Sequence, residues 1–181
     1  MILRETERLI VRDHREEDLP GLRALMTSPE EMYYLPELLC PCEAAARENL
    51  AASIAAQNCA DREKFFFAIE EKSSGRYVGE IGFTIIERRA AGARADLGYF
   101  LLREFRGKGY ATEAGRSVVA FAFAEAGVWK LQTGCLKENA ASERVMRKLG
   151  FVKEGELRLH QWHECTWKDR LVYGLLAAEL P

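Results

Sequence analysis

The segment Arg106-Gly107-Lys108-Gly109-Tyr110-Ala111-Thr112 constrains this chain more than any other. The run from Ala95 to Leu102 reads as a strand, and Ala111 to Ala126 reads as a helix with Val118, Val119 and Phe123 inward and Gly127 as its cap, so the segment between them is a strand-to-helix turn. A helix that begins there leaves its first N–H groups without intrahelical acceptors, and its macrodipole favours negative charge at that end. The two glycines remove Cβ atoms so that backbone can wrap closely around an anion, while Arg106 and Lys108 add positive charge. From the glycines alone, a surface turn that needs them only for its dihedrals reads equally well.

Two phosphate-binding templates can be tested by spacing. Walker A is excluded, because no Gly-Lys-Ser or Gly-Lys-Thr occurs. The dinucleotide fingerprint keeps its first two glycines at Gly107 and Gly109 but has Thr112 in place of the third, and Glu138 ends the following strand roughly where a ribose-binding acid belongs. A nicotinamide-dependent oxidoreductase therefore stays open. Against it, the motif lies mid-chain, and the strands after it lack the repeated crossover helices of a doubly wound sheet.

At 181 residues, 48% apolar and 30% charged, residues 1–181 are expected to form a single domain. A net charge of -2 gives no broad basic field, which disfavours direct nucleic-acid binding. The longest apolar run, Val118 to Ala124, is far short of the ~20 residues that span a bilayer. No signal peptide is legible in Met1 to Thr6, so a cytoplasmic protein is the default expectation. Five scattered cysteines, Cys40, Cys42, Cys59, Cys135 and Cys165, fit a reducing compartment, and most are expected as buried thiols. Cys40-Pro41-Cys42 finds no second ligand pair at structural-zinc spacing, so no metal is expected.

Periodicity places further strands at Arg8–Arg12, Phe65–Ile69, Tyr77–Ile86, Lys130–Leu136, Val152–Leu159 and Thr166–Leu176, and helices from Arg15 through Leu25, at Glu43–Gln57 and at Asn139–Leu149. The sum is a mixed α/β fold with about seven strands. Glu80 and Asp96 each lie in a strand otherwise rich in apolar residues, where a charge needs a reason. For Glu80 a structural role weighs somewhat more than a catalytic one. Asp96, near the start of its strand, is as well explained by solvation. Asn139 is well placed as a helix N-cap with Ser142 in the first turn, and Glu113 suits the positive end of its helix dipole yet would repel a phosphate.

Arg106, Gly109 and Ala111 match the pattern Arg or Gln, two residues, Gly, one residue, Gly or Ala. With Leu97-Gly98-Tyr99-Phe100 before the loop, Ala111-Thr112-Glu113-Ala114 after it, and Asn139-Ala140-Ala141-Ser142 ahead of Lys148-Leu149-Gly150-Phe151, the chain resembles the GNAT superfamily from about residue 4 to its C-terminus. Glu5-Thr6-Glu7-Arg8-Leu9 and Trp167-Lys168-Asp169 are similar to the RimJ/RimL-type branch, which includes acetyltransferases of ribosomal-protein N-termini.

The resemblance implies a mostly antiparallel central sheet with flanking helices, splayed between its two middle strands, here Leu97 to Leu102 and Lys130 to Leu136. It implies acetyl-CoA as cosubstrate, with Arg106, Gly107, Lys108, Gly109, Tyr110, Ala111 and Thr112 around the pyrophosphate. The backbone of Phe100, Leu101 and Leu102 would hold the pantetheine and thioester, and Asn139 and Ser142 the far side of the slot. An amine is the acceptor, either a protein N-terminus or a small molecule such as an amino acid or antibiotic. Glu80 and Asp96 are the carboxylates to test as general base, and Ser142 could stabilise the departing thiolate. Relatives often carry a tyrosine acid seven residues after the asparagine, but that position here is Met146, which also keeps a noncatalytic acyl-CoA-binding module open. Relatives place acceptor-side residues near Trp162, His163, Glu164, Trp167 and Asp169 and near Tyr33 and Tyr34. Some relatives dimerise, so monomer and homodimer both stay open.

Overall fold

Alternating burial at Leu9 and Val11, with relative exposures of 0% and 1%, sets the first core strand, and the same logic repeats through a computed structural model that describes residues 2–180. These residues form eight strands and four α-helices. The strand order is β1-β2-β3-β4-β5-β6-β8-β7, in a mostly antiparallel sheet whose parallel pair is β5 with β6. The chain divides into two compact units: residues up to Thr84 with Gly98–Val118, and Ile85–Leu97 with residues from Val119 onward.

In the first unit β1 (Leu3–Glu5), β2 (Leu9–Asp13), β3 (Lys64–Glu71) and the first part of β4 (Arg76–Arg89) pair antiparallel in sequence order. The register shifts from Ile69↔Gly79 to Glu70↔Tyr77, so Val78 is a bulge. Helices α1 (Leu19–Met26) and α2 (Glu43–Ala56) share a core in which Leu22, Leu25, Met26, Ala46 and Leu50 are buried with Phe100. Alanine-rich α2 owes its helicity to intrinsic propensity and its position to Ala46 and Leu50.

The second unit pairs β5 (Gly92–Leu101) with β6 (Val128–Leu136) over Ala93↔Val128 to Asp96↔Gln132, and β6 with β8 (Thr166–Leu176) from Lys130↔Leu176 to Leu136↔Arg170. Strand β7 (Val152–His163) forms a hairpin with β8, broken by register shifts at Lys153/Gly155 and Leu157/Gln161. Helix α4 (Ala140–Lys148) buries Met146, and α3 (Tyr110–Ala124) has its residues divided between the two units.

Four expectations are corrected. The described residues hold eight strands where about seven were expected, Leu3–Glu5 adding one. The first helix opens with a 3-10 turn at Glu16–Asp18 and becomes α-helical only at Leu19, one residue before Pro20, whose fixed φ suits a first turn. Strand β7 runs on to His163, past a left-handed Leu159 at φ 47° that breaks the alternation. Cys42, Cys59 and Cys165 are exposed, so only Cys40 and Cys135 are the buried thiols expected.

Candidate active site

Beyond β5, a 3-10 turn at Arg103–Phe105 leads into Gly107 and Gly109, at φ +76° and +85°, and α3 starts at Tyr110. Two left-handed residues in three positions are what glycine permits at little cost. A Cβ built at Gly107 would meet nothing within 4 Å, so glycine is needed there for the turn of the backbone and the space over it is open. The Glu113 N–H reaches Gly109 O at 3.0 Å, and the amides ahead of it are those a helix start leaves for an anion. Tyr110 and Thr112 are buried at 7% and 9% exposure, so their side chains anchor the turn. Ala111 is half-buried between them. The turn fits a pyrophosphate.

Arg106 is a brace. Its Nε donates to Leu101 O at 2.8 Å, Nη2 donates to Glu31 O at 3.1 Å, and the guanidinium is ion-paired with the Glu31 carboxylate. Lys108, by contrast, is exposed, with Nζ 5.0 Å from the Phe105 ring centroid. Of the two cations expected to add charge to the turn, Lys108 is thus the one without a direct carboxylate contact among the described residues.

Immediately after β5 the Leu102 N–H donates to Val78 O at 3.0 Å, so this amide is committed to the β4 side. Successive residues of an extended strand present their N–H groups to opposite edges, which turns the Phe100 N–H the same way and that of Leu101 toward the other edge. Of the three backbone positions expected to serve a ligand, Leu101 keeps its amide on the side away from β4. Close approach behind this segment requires Gly79, where a Cβ would lie 2.3 Å from Phe100 O and 2.8 Å from Leu101 Cα.

The two carboxylates have different surroundings. Glu80 is 4% exposed, and its Oε2 faces His14 Nε2 at 3.5 Å. The other ring nitrogen, Nδ1, is 3.6 Å from Asp18 Oδ2. These are ionic rather than hydrogen-bonded separations. Asp18 also takes a bidentate pair from Arg12, at 2.7 and 2.8 Å, and Arg12 reaches on to Glu70 at 3.0 Å. Burial opposes charge on His14, but the Asp18 and Glu80 carboxylates outweigh it and raise its pKa to about 9. Asp18 is held well below the usual carboxylate range: burial works against this, while Arg12, His14 and the Arg15 amide overcome it. Glu80 therefore faces a cationic imidazole as its counter-ion.

Asp96, in the second unit, has its side chain at the surface, while the protein packed around it pushes its carboxyl above the ordinary value and Arg170 opposes the shift. In the same unit Asn139 caps α4, its Oδ1 accepting the Ser142 N–H at 3.1 Å. Ser142 is half-buried, and Met146 is completely buried. After the pair Asp96↔Gln132, the next carbonyl of β5, that of Leu97, accepts the Thr133 hydroxyl at 2.9 Å.

The aromatic and polar residues of the last hairpin have separate roles. Trp162 and Trp167 are cross-strand partners with rings edge-to-face at 5.4 Å, both about half exposed. His163 is buried, Glu164 takes a left-handed φ of 50° in the turn, and Asp169 Oδ1 accepts the Leu159 N–H at 3.0 Å. Tyr33 and Tyr34 also meet edge-to-face, at 4.8 Å.

Three residues around these positions were not anticipated as partners. They are His14 beside Glu80, Glu31 beneath Arg106, and Arg8, whose guanidinium lies against Glu113 and the Lys108 carbonyl. No local spacing announces them, because their partners lie 66, 75 and about 100 residues away in the sequence.

Residues 8–152 match the family model of the acetyltransferase (GNAT) domain. Among curated proteins, the uncharacterized N-acetyltransferase YoaA of Bacillus subtilis (strain 168) is 29% identical over 173 residues, 95% of each chain. Among solved structures, the ribosomal-protein-S5-alanine acetyltransferase of Vibrio fischeri superimposes with a TM-score of 0.85 at 20% identity over 100% of both chains. The spermidine N-acetyltransferase of Vibrio cholerae, in complex with CoA and spermine, does so with a TM-score of 0.83 at 19% identity, over 96% of this chain and 98% of that one. GNAT enzymes take their acyl group from acetyl-CoA, which sets the dinucleotide alternative aside. Among the described residues no helix is long and apolar enough to cross a membrane. A glycine turn at a helix start, the mixed sheet that carries it and a family match across most of the sequence converge, and the chain belongs to the GNAT family of N-acetyltransferases.

Proposed function

We propose that this chain acts as one acetyltransferase domain of the RimJ/RimL type, moving the acetyl group of acetyl-CoA to a primary amine, with a protein N-terminal α-amine as the acceptor. The observation that carries the reading is the pair of left-handed glycines, Gly107 and Gly109, immediately ahead of α3. In this reading the amides from Gly107 to Thr112 hold the pyrophosphate, with Lys108 as the added cation. Asn139 and Ser142 serve the pantetheine, and the Leu101 N–H donates to the cofactor arm. Acetyl-CoA supplies an acetyl group on a thioester, a carbon already open to a neutral amine.

In this reading the two carboxylates divide the proton chemistry unequally. A carboxyl whose surroundings raise its pKa is the better proton acceptor, which favours Asp96 as general base. Glu80, facing the His14 cation, is the counter-charge that keeps the first unit's core electrically balanced. With Met146 where relatives carry a tyrosine acid, the thiolate leaves without a phenolic donor. A thiol of pKa about 8.5 permits this, and Ser142 is the hydroxyl assigned to donate to it. An α-amine of pKa about 8 is partly neutral at physiological pH, whereas a lysine near 10.4 is almost wholly charged, so an N-terminal acceptor asks least of such a base.

Fold kinship supports both acceptor classes, since the Vibrio fischeri neighbour is named for a ribosomal-protein alanine and the Vibrio cholerae neighbour for spermidine. The deciding experiment is CoA-thiol release with N-terminal peptides, polyamines and free amino acids as acceptors. Turnover led by peptides with a free α-amine is the expected result. Turnover confined to polyamines or amino acids overturns the acceptor assignment.

A further inference from the structure

Glu113 poses an electrostatic problem, because it stands in the first turn of α3, beside the loop that the proposed function fills with phosphate. Its carboxylate is almost fully occupied. Oε1 accepts the Thr6 hydroxyl at 2.6 Å and the Arg8 N–H at 2.8 Å, while Oε2 accepts Arg8 Nε at 2.8 Å and Nη2 at 2.7 Å. The fork of Arg8 thus closes on Oε2, and the Thr6 hydroxyl and the Arg8 amide, on either side of Glu7, close on Oε1.

The same guanidinium reaches the loop itself. Arg8 Nη1 donates to the Lys108 carbonyl at 3.0 Å, and Nη2 lies 3.4 Å from where a Cβ of Gly109 would be. The cation stacks on the Tyr110 ring, 4.6 Å from its centroid, and the Tyr110 hydroxyl is tied to Glu71 at 2.5 Å. A guanidinium carries five N–H donors, and these partners use three of them. Of the two that remain, the one on Nη2 sits beside Gly109, on a side chain that is 44% exposed.

We infer that Arg8, from outside the glycine loop, completes the phosphate site as a positioning residue: it cancels the charge of Glu113 and turns the Lys108 carbonyl away from the anion. The inference rests on the reading of Gly107 to Thr112 as the pyrophosphate site. It explains why a carboxylate is tolerated there, since Arg8 and Glu113 act as a neutral pair that leaves the helix dipole and Lys108 to face the ligand. It also explains why lysine would serve poorly at position 8, because an ammonium cannot hold a carboxylate by a fork and cap a carbonyl at the same time.

The test compares two acetyl donors, acetyl-CoA and the phosphate-free S-acetyl-pantetheine, in wild type, Arg8→Ala, Arg8→Lys and the double variant Arg8→Ala/Glu113→Gln, with thermal unfolding of each as the folding control. Arg8→Ala should raise KM for acetyl-CoA about tenfold with kcat little changed, and should leave kcat/KM for S-acetyl-pantetheine within about twofold. Arg8→Lys should fall between. Adding Glu113→Gln should restore part of the acetyl-CoA affinity by removing the bare charge, a rescue that loss of a mere structural tie does not give. Equal losses with both donors, or no rescue, overturns the inference. Should Arg8→Ala fail to fold, Arg8→Lys decides by the same donor comparison. Gly109→Trp separates the two levels: if it too leaves acetyl-CoA affinity intact, the loop assignment itself is wrong, whereas loss there with an unaffected Arg8→Ala removes only the role of Arg8.

Discussion

The imidazole of His14 and the carboxylate of Glu80, both shielded from solvent, face each other at 3.5 Å, although 65 residues lie between them in the sequence. With Asp18 on its other nitrogen, His14 has a folded pKa near 9, against about 6.5 when unfolded. A raised histidine contributes stability in full below about pH 6.5 and loses it as pH climbs through about 9. Urea unfolding at pH 6 and pH 9.5 should therefore show a fall of up to about 3 kcal/mol. In His14→Gln, where nothing titrates, that slope should flatten.

Asp18 supplies the opposite limb. Its carboxyl is depressed in the folded chain, so its contribution is present above the unfolded value near 3.8 and disappears as acid protonates it. Removing it by Asp18→Ala leaves Arg12 buried at 6% exposure with Glu70 as its remaining ion-pair partner. A loss of about 3–5 kcal/mol in chemical denaturation is expected, because Arg12 and His14, both buried, each lose one of their two carboxylate partners. A change below about 1 kcal/mol would show that solvent reaches the pair.

Gly79→Ala should damage both fold and activity. The added methyl would sit 2.3 Å from the Phe100 carbonyl oxygen, a backbone atom that cannot swing aside, so the strand carrying Leu101 has to move. A lower melting temperature, with KM for acetyl-CoA rising more than KM for the amine, is the expected pattern. Ser74-adjacent Gly75, whose Cβ would meet nothing within 4 Å, is the control: its φ of +69° makes Gly75→Ala cost only about 1 kcal/mol.

Arg106→Ala removes the tie from the loop to Leu101 O and to Glu31. Because Arg106 braces and Lys108 carries the exposed charge, the two substitutions should differ in salt dependence. Calorimetric affinity for CoA should fall in both, but the Lys108→Ala deficit should shrink as ionic strength rises, and the Arg106→Ala deficit should persist.

The sequence made legible whatever is local or periodic. The strand-turn-helix around Gly107 and Gly109 was plain because glycine, helix dipole and cation all sit within seven residues. The N-cap at Asn139 was plain for the same reason. Strand β1 was missed because Leu3–Glu5 is three residues long and lacks an alternating apolar face. The continuation of β7 was missed because a left-handed Leu159 interrupts the period on which strand recognition depends. The charge networks were illegible in principle. Arg8 with Glu113, Arg106 with Glu31 and His14 with Glu80 are chosen by the fold, and nothing in the neighbourhood of either partner encodes the other. Leu102 shows the intermediate case: the strand was expected to run to it, whereas β5 ends at Leu101 and Leu102 starts the 3-10 turn, with its N–H given to Val78 O at the β4 bulge.

The hydroxyl of Thr133 holds the Leu97 carbonyl where the main-chain pairing of β5 with β6 hands over to a side chain. Main-chain ladders are indifferent to mutation, since every residue except proline brings the same donor and acceptor. A rung made by threonine is heritable: valine has the same outline and cannot make it. The last rung of this parallel ribbon is thus under the control of one codon, whereas the main-chain pairs from Ala93↔Val128 to Asp96↔Gln132 are not.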